Sequence, residues 1–197
     1  MELAINFLAI LLLPIIPTSF LYSVLLRKAE GFRLLIYPAL LFLGYFVVFS
    51  EAIHPILRIV AYLSSAIYAL KLLSADSFNA FLRFLFFSVA GLVLALGISP
   101  ILYALGFLLL VLIAKKLKEI YGTTSFRITG GLLDANKPVA YALMFSYTPF
   151  ILFYTFTVGQ LIAFPLKALL FSLINIFWTV GFGKLFKEVI GLKRRGF

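Results

Sequence analysis

Apolar runs of membrane-spanning length alternate with short polar connections along the whole chain, and the one long polar interruption is Lys115 to Pro138, KKLKEIYGTTSFRITGGLLDANKP. A bilayer-crossing helix needs about 20 mostly apolar residues. On that measure the pattern predicts seven spans: Ile5–Leu26, Leu34–Ser50, Ile56–Leu73, Phe78–Ile98, Ile101–Ala114, Val139–Thr157 and Leu161–Val180. The fifth is short in apolar residues, but Lys115, Lys116 and Lys118 can carry the helix out of the membrane with their stems along its surface. Proline predicts kinks at Pro14 and Pro17, at Pro149 and at Pro165, because a ring at these positions removes a donor from the helical ladder. Helix starts are marked by Asp76 or Ser77 before Phe78 and by Asn136-Lys137-Pro138. Gly181 and Gly183 predict a bend before the amphipathic basic tail.

The charges then fix a direction. With seven spans, one side of the membrane receives Arg27, Lys28, Arg33, Lys71, Lys115, Lys116, Lys118, Arg127, Lys137, Lys184, Lys187, Lys193, Arg194 and Arg195, and the other only Glu51, His54 and Arg58. Basic connections stay in the cytoplasm. The expectation is an all-α polytopic bundle with its N-terminus outside and its C-terminus inside. It forms a single membrane domain over 1–197, with a cytoplasmic basic loop at 115–138 and a cytoplasmic tail at 181–197. Tyr22, Tyr37, Tyr121, Tyr141 and Trp178 are expected near the inner interface as an aromatic belt.

Composition narrows the chemistry. Of 197 residues, 64% are hydrophobic and 12% charged, with mean hydropathy +1.15, too apolar for a water-soluble globule to cover. The net charge of +10 sits at the ends of apolar runs, which points to anionic lipid or an acidic soluble subunit and away from nucleic acid. Zero cysteines and one histidine exclude thiolate metal sites, iron–sulfur ligation and a haem pair, so no cofactor and no metal is expected. A cleaved signal peptide is disfavoured by Glu2, by the length of the first apolar run and by the lack of a small-residue cleavage pattern. No paired carboxylates, no Ser/His/Asp set and no phosphate-cradling glycine loop are present, so no catalytic residue is assigned.

Ionisable groups within spans are costly and therefore candidates for an ion path. Lys167, about seven residues into the last predicted span and hence roughly 10 Å deep, leads, followed by Arg58, Glu51, His54 and Arg83. Against transport stand plainer roles: snorkelling for Lys167 and Arg83, a surface ion pair between Glu51 and Arg58, and a helix cap for His54. Gln160 and Asn175 are expected to join helices through hydrogen bonds.

Two stretches carry a resemblance. Ala61 to Ser99, AYLSSAIYALKLLSADSFNAFLRFLFFSVAGLVLALGIS, is a helix pair joined by a short loop. Gly122 to Phe150, GTTSFRITGGLLDANKPVAYALMFSYTPF, is a G-T…G-G-L loop followed by a proline-started helix, and Leu173 to Val189 adds a later helix ending in a basic turn. Over about half the chain these resemble the antiporter-like proton-translocating membrane subunits of respiratory complex I, Mrp antiporters and membrane-bound hydrogenases. The family's intramembrane Glu would fall near Ala61 or Tyr62, and its Lys near Gln160 unless Lys167 substitutes. The resemblance therefore implies a shortened relative without its own pump: a non-catalytic subunit in a prokaryotic plasma membrane. Its implied partners are other integral membrane subunits and a soluble redox arm. The alternative is a stand-alone transporter or channel acting as a homo-oligomer.

Overall fold

The computed structural model describes residues 1–191; Lys193, Arg194 and Arg195 of the basic tail lie outside the described residues. Among those described there is no strand, only an isolated bridge between Ser77 and Ser125. The helices are α1 (Glu2–Leu12), α2 (Thr18–Leu26), α3 (Ile36–Val48, entered through a 3-10 turn at Gly31–Leu35), α4 (Pro55–Leu72), α5 (Phe78–Leu96), α6 (Ile101–Tyr121), α7 (Leu132–Ala135), α8 (Lys137–Phe145), α9 (Thr148–Leu161) and α10 (Pro165–Val189). Among the described residues five lengths are long and apolar enough to cross a membrane: Gly31–Val48, Pro55–Leu72, Phe78–Leu96, Lys137–Leu161 and Pro165–Val189.

Hydrogen bonds tie the connections into two ends. At one, Asn6 Nδ2 donates to the Ala52 carbonyl and Arg58 Nη1 to the Leu94 carbonyl. At the other, Phe78 N donates to Thr124 O, Phe126 N to Asp76 O and Gly131 N to Gly191 O, while Lys184 reaches the carbonyls of Leu73 and Ala75. The second end holds most of the lysines and arginines. The 115–138 segment is thus less a loop than expected: Lys115–Tyr121 belong to α6, and Thr124 and Phe126 are pinned to the α4–α5 connection.

α5 is the axis of the bundle, enclosed along most of its length, whereas the other candidate spans bury only one stripe. Against it lies α4, whose Ala61, Ser65 and Ala69 recur every fourth residue and are fully buried. Small side chains at that spacing let two backbones close up. Ser65 Oγ donates to the Ser88 carbonyl at 2.6 Å and Ser88 Oγ to the Ser65 carbonyl at 3.0 Å, which joins the two helices at that seam.

The prolines act as expected at three places. The first length of chain breaks between Leu12 and Thr18, the sixth between Phe145 and Thr148, and Pro165 starts α10. Backbone groups freed by the first break find partners: Ile16 N donates to Ser64 Oγ at 3.1 Å and the Tyr22 hydroxyl to Leu11 O at 2.6 Å. An unpaired amide away from water costs several kcal/mol, roughly 2–7, so these serine and tyrosine hydroxyls are what permit the break.

Two expectations are corrected. α10 runs unbroken through Gly181 and Gly183 to Val189. Gly181 is small because Leu72 packs on it, a Cβ there falling 2.8 Å from Leu72 Cδ2. Nor do Tyr37 and Trp178 belong to an interfacial belt: each is 1% exposed and inside the core. Trp178 sits eleven residues before the end of α10, and the Ser88 hydroxyl accepts from its indole N–H at 2.7 Å, so it has no need of water.

Candidate functional site

The candidate ion-path residues do not converge. Because α10 begins at Pro165, Lys167 lies two residues into it, about 3 Å of rise, and not seven; it is exposed, with its ammonium 5.4 Å over the Phe164 ring. Glu51 is exposed. His54 caps α4, its Nδ1 accepting from Ile56 N at 3.1 Å. Arg58 forms no ion pair with Glu51: Nη1 donates to Leu94 O at 2.8 Å and Nη2 to Ser50 O at 3.2 Å. A guanidinium on a last-turn carbonyl of α5 satisfies an acceptor that the helix itself leaves open and favours its negative end.

Lys184 does the same work at the basic end, donating to Leu73 O at 2.8 Å and Ala75 O at 3.1 Å just past α4. Nothing in the sequence points to it, since its partners lie over a hundred residues away. Removing either cation strands half-buried carbonyls. Arg58→Met is expected to cost about 1.5–3 kcal/mol, the range for hydrogen bonds to charged groups, read as a lower unfolding midpoint of the detergent-purified protein, with Glu51→Gln unchanged beside it.

Gln160 is exposed and Asn175 Nδ2 donates to Phe171 O of its own helix at 2.8 Å, so neither joins two helices. Hydroxyls take that role. The Tyr68 hydroxyl donates to Ser19 Oγ at 2.7 Å, the Tyr62 hydroxyl reaches Leu170 O at 3.1 Å, Tyr154 pairs with Ser172 at 3.0 Å, and Tyr147 pairs with Thr179. Tyrosine and serine in spans look apolar or neutral in a hydropathy profile, which is why the pattern along the chain understates them.

Two concavities stand out among the described residues. A groove of about 400 Å3 runs between α9 and α10, with Tyr147, Tyr154, Ser172, Asn175 and Thr179 along it and Ile151 and Ile176 on its rim, 48% and 59% exposed. It opens on the flank of the bundle. A smaller pocket of about 150 Å3 lies at the basic end between the entry to α3 and the exit of α6. The Tyr121 hydroxyl, at the end of α6, donates to Gly130 O at 2.8 Å. No group of three or more His, Cys, Asp or Glu that could hold a metal occurs among the described residues. No protein-family model matches the chain, and no curated protein does.

Proposed function

We propose that the chain is a non-catalytic integral membrane subunit that crosses the bilayer seven times, the five long apolar lengths being joined by the broken first length Glu2–Leu26 and by α6. The positive-inside rule places the basic end in the cytoplasm and the N-terminus, beside Ala52 and His54, outside. The carrying observation is the flank groove between α9 and α10. Its hydroxyls are paired in the manner of helix-joining side chains, yet it opens outward among exposed isoleucines, as a seat for a neighbouring helix would. Assignment to an ion-translocating complex of the respiratory or hydrogenase type rests on the sequence resemblance of Ala61–Ser99 and Gly122–Phe150, and a soluble arm would meet the basic end.

The chain has no cysteine, so Ile176→Cys gives a unique handle in the groove. In native membranes, a short bis-maleimide is expected to join this position to a different membrane protein, identified by mass spectrometry after native-gel separation in mild detergent. A product joining two copies of the chain would favour the homo-oligomeric transporter instead. The same readings part at Lys167: with the side chain exposed at a helix start, Lys167→Leu is expected to change stability by no more than about 0.5 kcal/mol and to leave the assembly intact. Loss of ion flux in reconstituted vesicles would speak for the transporter.

A further inference from the structure

We propose that the pocket at the basic end binds the phosphodiester headgroup of an anionic phospholipid from the adjoining leaflet. This rests on the membrane-spanning reading above, because it requires the pocket to lie at the depth of the lipid headgroups.

The lining divides in two. Gly31, Leu34 and Ala114 make an apolar floor, and Lys115, Lys118 and Asn79 make a polar rim. Two acids also line the pocket and both are already engaged, Glu30 with Lys118 and Glu119 with Lys116 at 3.1 Å. Lys115 has no carboxylate partner among the described residues, and its ammonium sits 4.8 Å over the exposed Phe32 ring, an arrangement suited to the membrane surface.

The second line of argument comes from hydrogen bonds left unmade. Buried polar atoms without a partner are few in a folded protein and each calls for a reason. Here the Asn79 carbonyl oxygen and the Arg83 Nε are both buried and both unpartnered. They lie four residues apart, on one face of α5. Arg83 stands one turn further from the basic end than the pocket, and it has no carboxylate partner among the described residues. Its guanidinium lies 5.1 Å over the neighbouring Phe84 ring.

The pocket therefore offers one uncompensated cation, Lys115, one free acceptor and an apolar floor, and Arg83 adds a second cation one turn deeper on the helix face that carries Asn79. A phosphodiester answers the cations, a headgroup hydroxyl answers the Asn79 oxygen, and the first methylenes of the acyl chains answer Leu34 and Ala114. Inorganic phosphate would leave the floor uncovered. Basic pockets between spans at the cytoplasmic face are a recurring form of lipid recognition.

The test is native mass spectrometry of the full chain in mild detergent, titrated with phosphatidylglycerol or with phosphatidylcholine of matched acyl chains. One retained phosphatidylglycerol per chain is expected, preferred about tenfold, the equivalent of 1.4 kcal/mol. Asn79→Asp, which adds negative charge at constant volume, and Arg83→Gln should each remove most of that preference. Arg83→Lys should keep it, and so should Lys167→Gln at the other end. Lys115 is exposed, so Lys115→Gln serves as the neutralising variant should Arg83→Gln not fold. Equal retention of the two lipids, or a preference unchanged in Asn79→Asp and Lys115→Gln, overturns the proposal, as does displacement of the lipid by millimolar inorganic phosphate. Resistance to alkaline carbonate extraction tests the spanning reading separately: lost selectivity in a carbonate-resistant protein removes the site and leaves the spans.

Discussion

Gly91→Leu is expected to abolish accumulation of the folded protein in membranes, and Gly91→Ala to lower its unfolding midpoint in detergent. Gly91 marks a close approach of α5 to α4. A Cβ built there lies 2.6 Å from the Ala61 carbonyl oxygen and 3.0 Å from both Cβ and N of Ser65. Two of the three obstructing atoms are backbone, which cannot swing aside as a side-chain tip can. The helices would have to part, and parting lengthens the reciprocal Ser65–Ser88 bonds that close the seam. Adding carbon to a filled core costs typically about 1–3 kcal/mol; alanine falls in that range and leucine goes beyond it. Gly159 and Gly183 give the contrast, having nothing within 4 Å of a built Cβ. Alanine at either should be neutral or stabilising, because glycine inside a helix costs roughly 0.5–1 kcal/mol relative to alanine. A Gly91→Ala protein as stable as those two would show that α4 and α5 do not meet so closely.

The parts of this fold legible in the sequence are those whose causes are local. Apolar runs of bilayer length, the Ser77 and Asn136 caps and the proline breaks each need only a few neighbouring residues, and the structure has Ser77 Oγ and Asn136 Oδ1 accepting from the first turns of α5 and α8. Glycines and polar residues inside spans are harder, since one letter serves opposite purposes. Gly181 as a helix break and Gly181 as a seat for Leu72 look alike until the partner helix is known. Arg58 and Lys184 as charges seeking an acid, and as caps on distant helix ends, look equally alike, because carbonyl acceptors leave no trace in composition. Lys167 reads as deep only when the last span is begun at Leu161. Proline fits the first turn of a helix far better than its interior, and that rule moves the start to Pro165 and brings the lysine to the surface. The candidate site is the least legible of all: the groove depends on how α9 and α10 lean together, and the pocket on three segments separated by the rest of the chain.

Trp178→Ala is the second large effect expected, about 3–5 kcal/mol for emptying a buried aromatic position. The indole joins three helices at once. Its N–H donates to Ser88 on α5, and its ring stands edge-on to Tyr103 of α6 with centroids 5.6 Å apart. Tyr103 in turn packs on Phe150 and Phe153 of α9. Trp178→Phe keeps most of the volume and loses only the donor, so its cost should be nearer 1 kcal/mol, that of a single hydrogen bond. Ser88→Ala then decides whether the bond or the packing matters: if the bond is real, the Trp178→Phe/Ser88→Ala pair should be less damaging than the sum of the singles. Strict additivity would assign the whole effect to packing. This is the only tryptophan in the chain, so its fluorescence reports the same site directly. With the side chain 1% exposed, neither aqueous acrylamide nor brominated lipid should quench it appreciably. Strong quenching by brominated lipid would put the indole on the surface of the bundle and remove α10 from its place against α5.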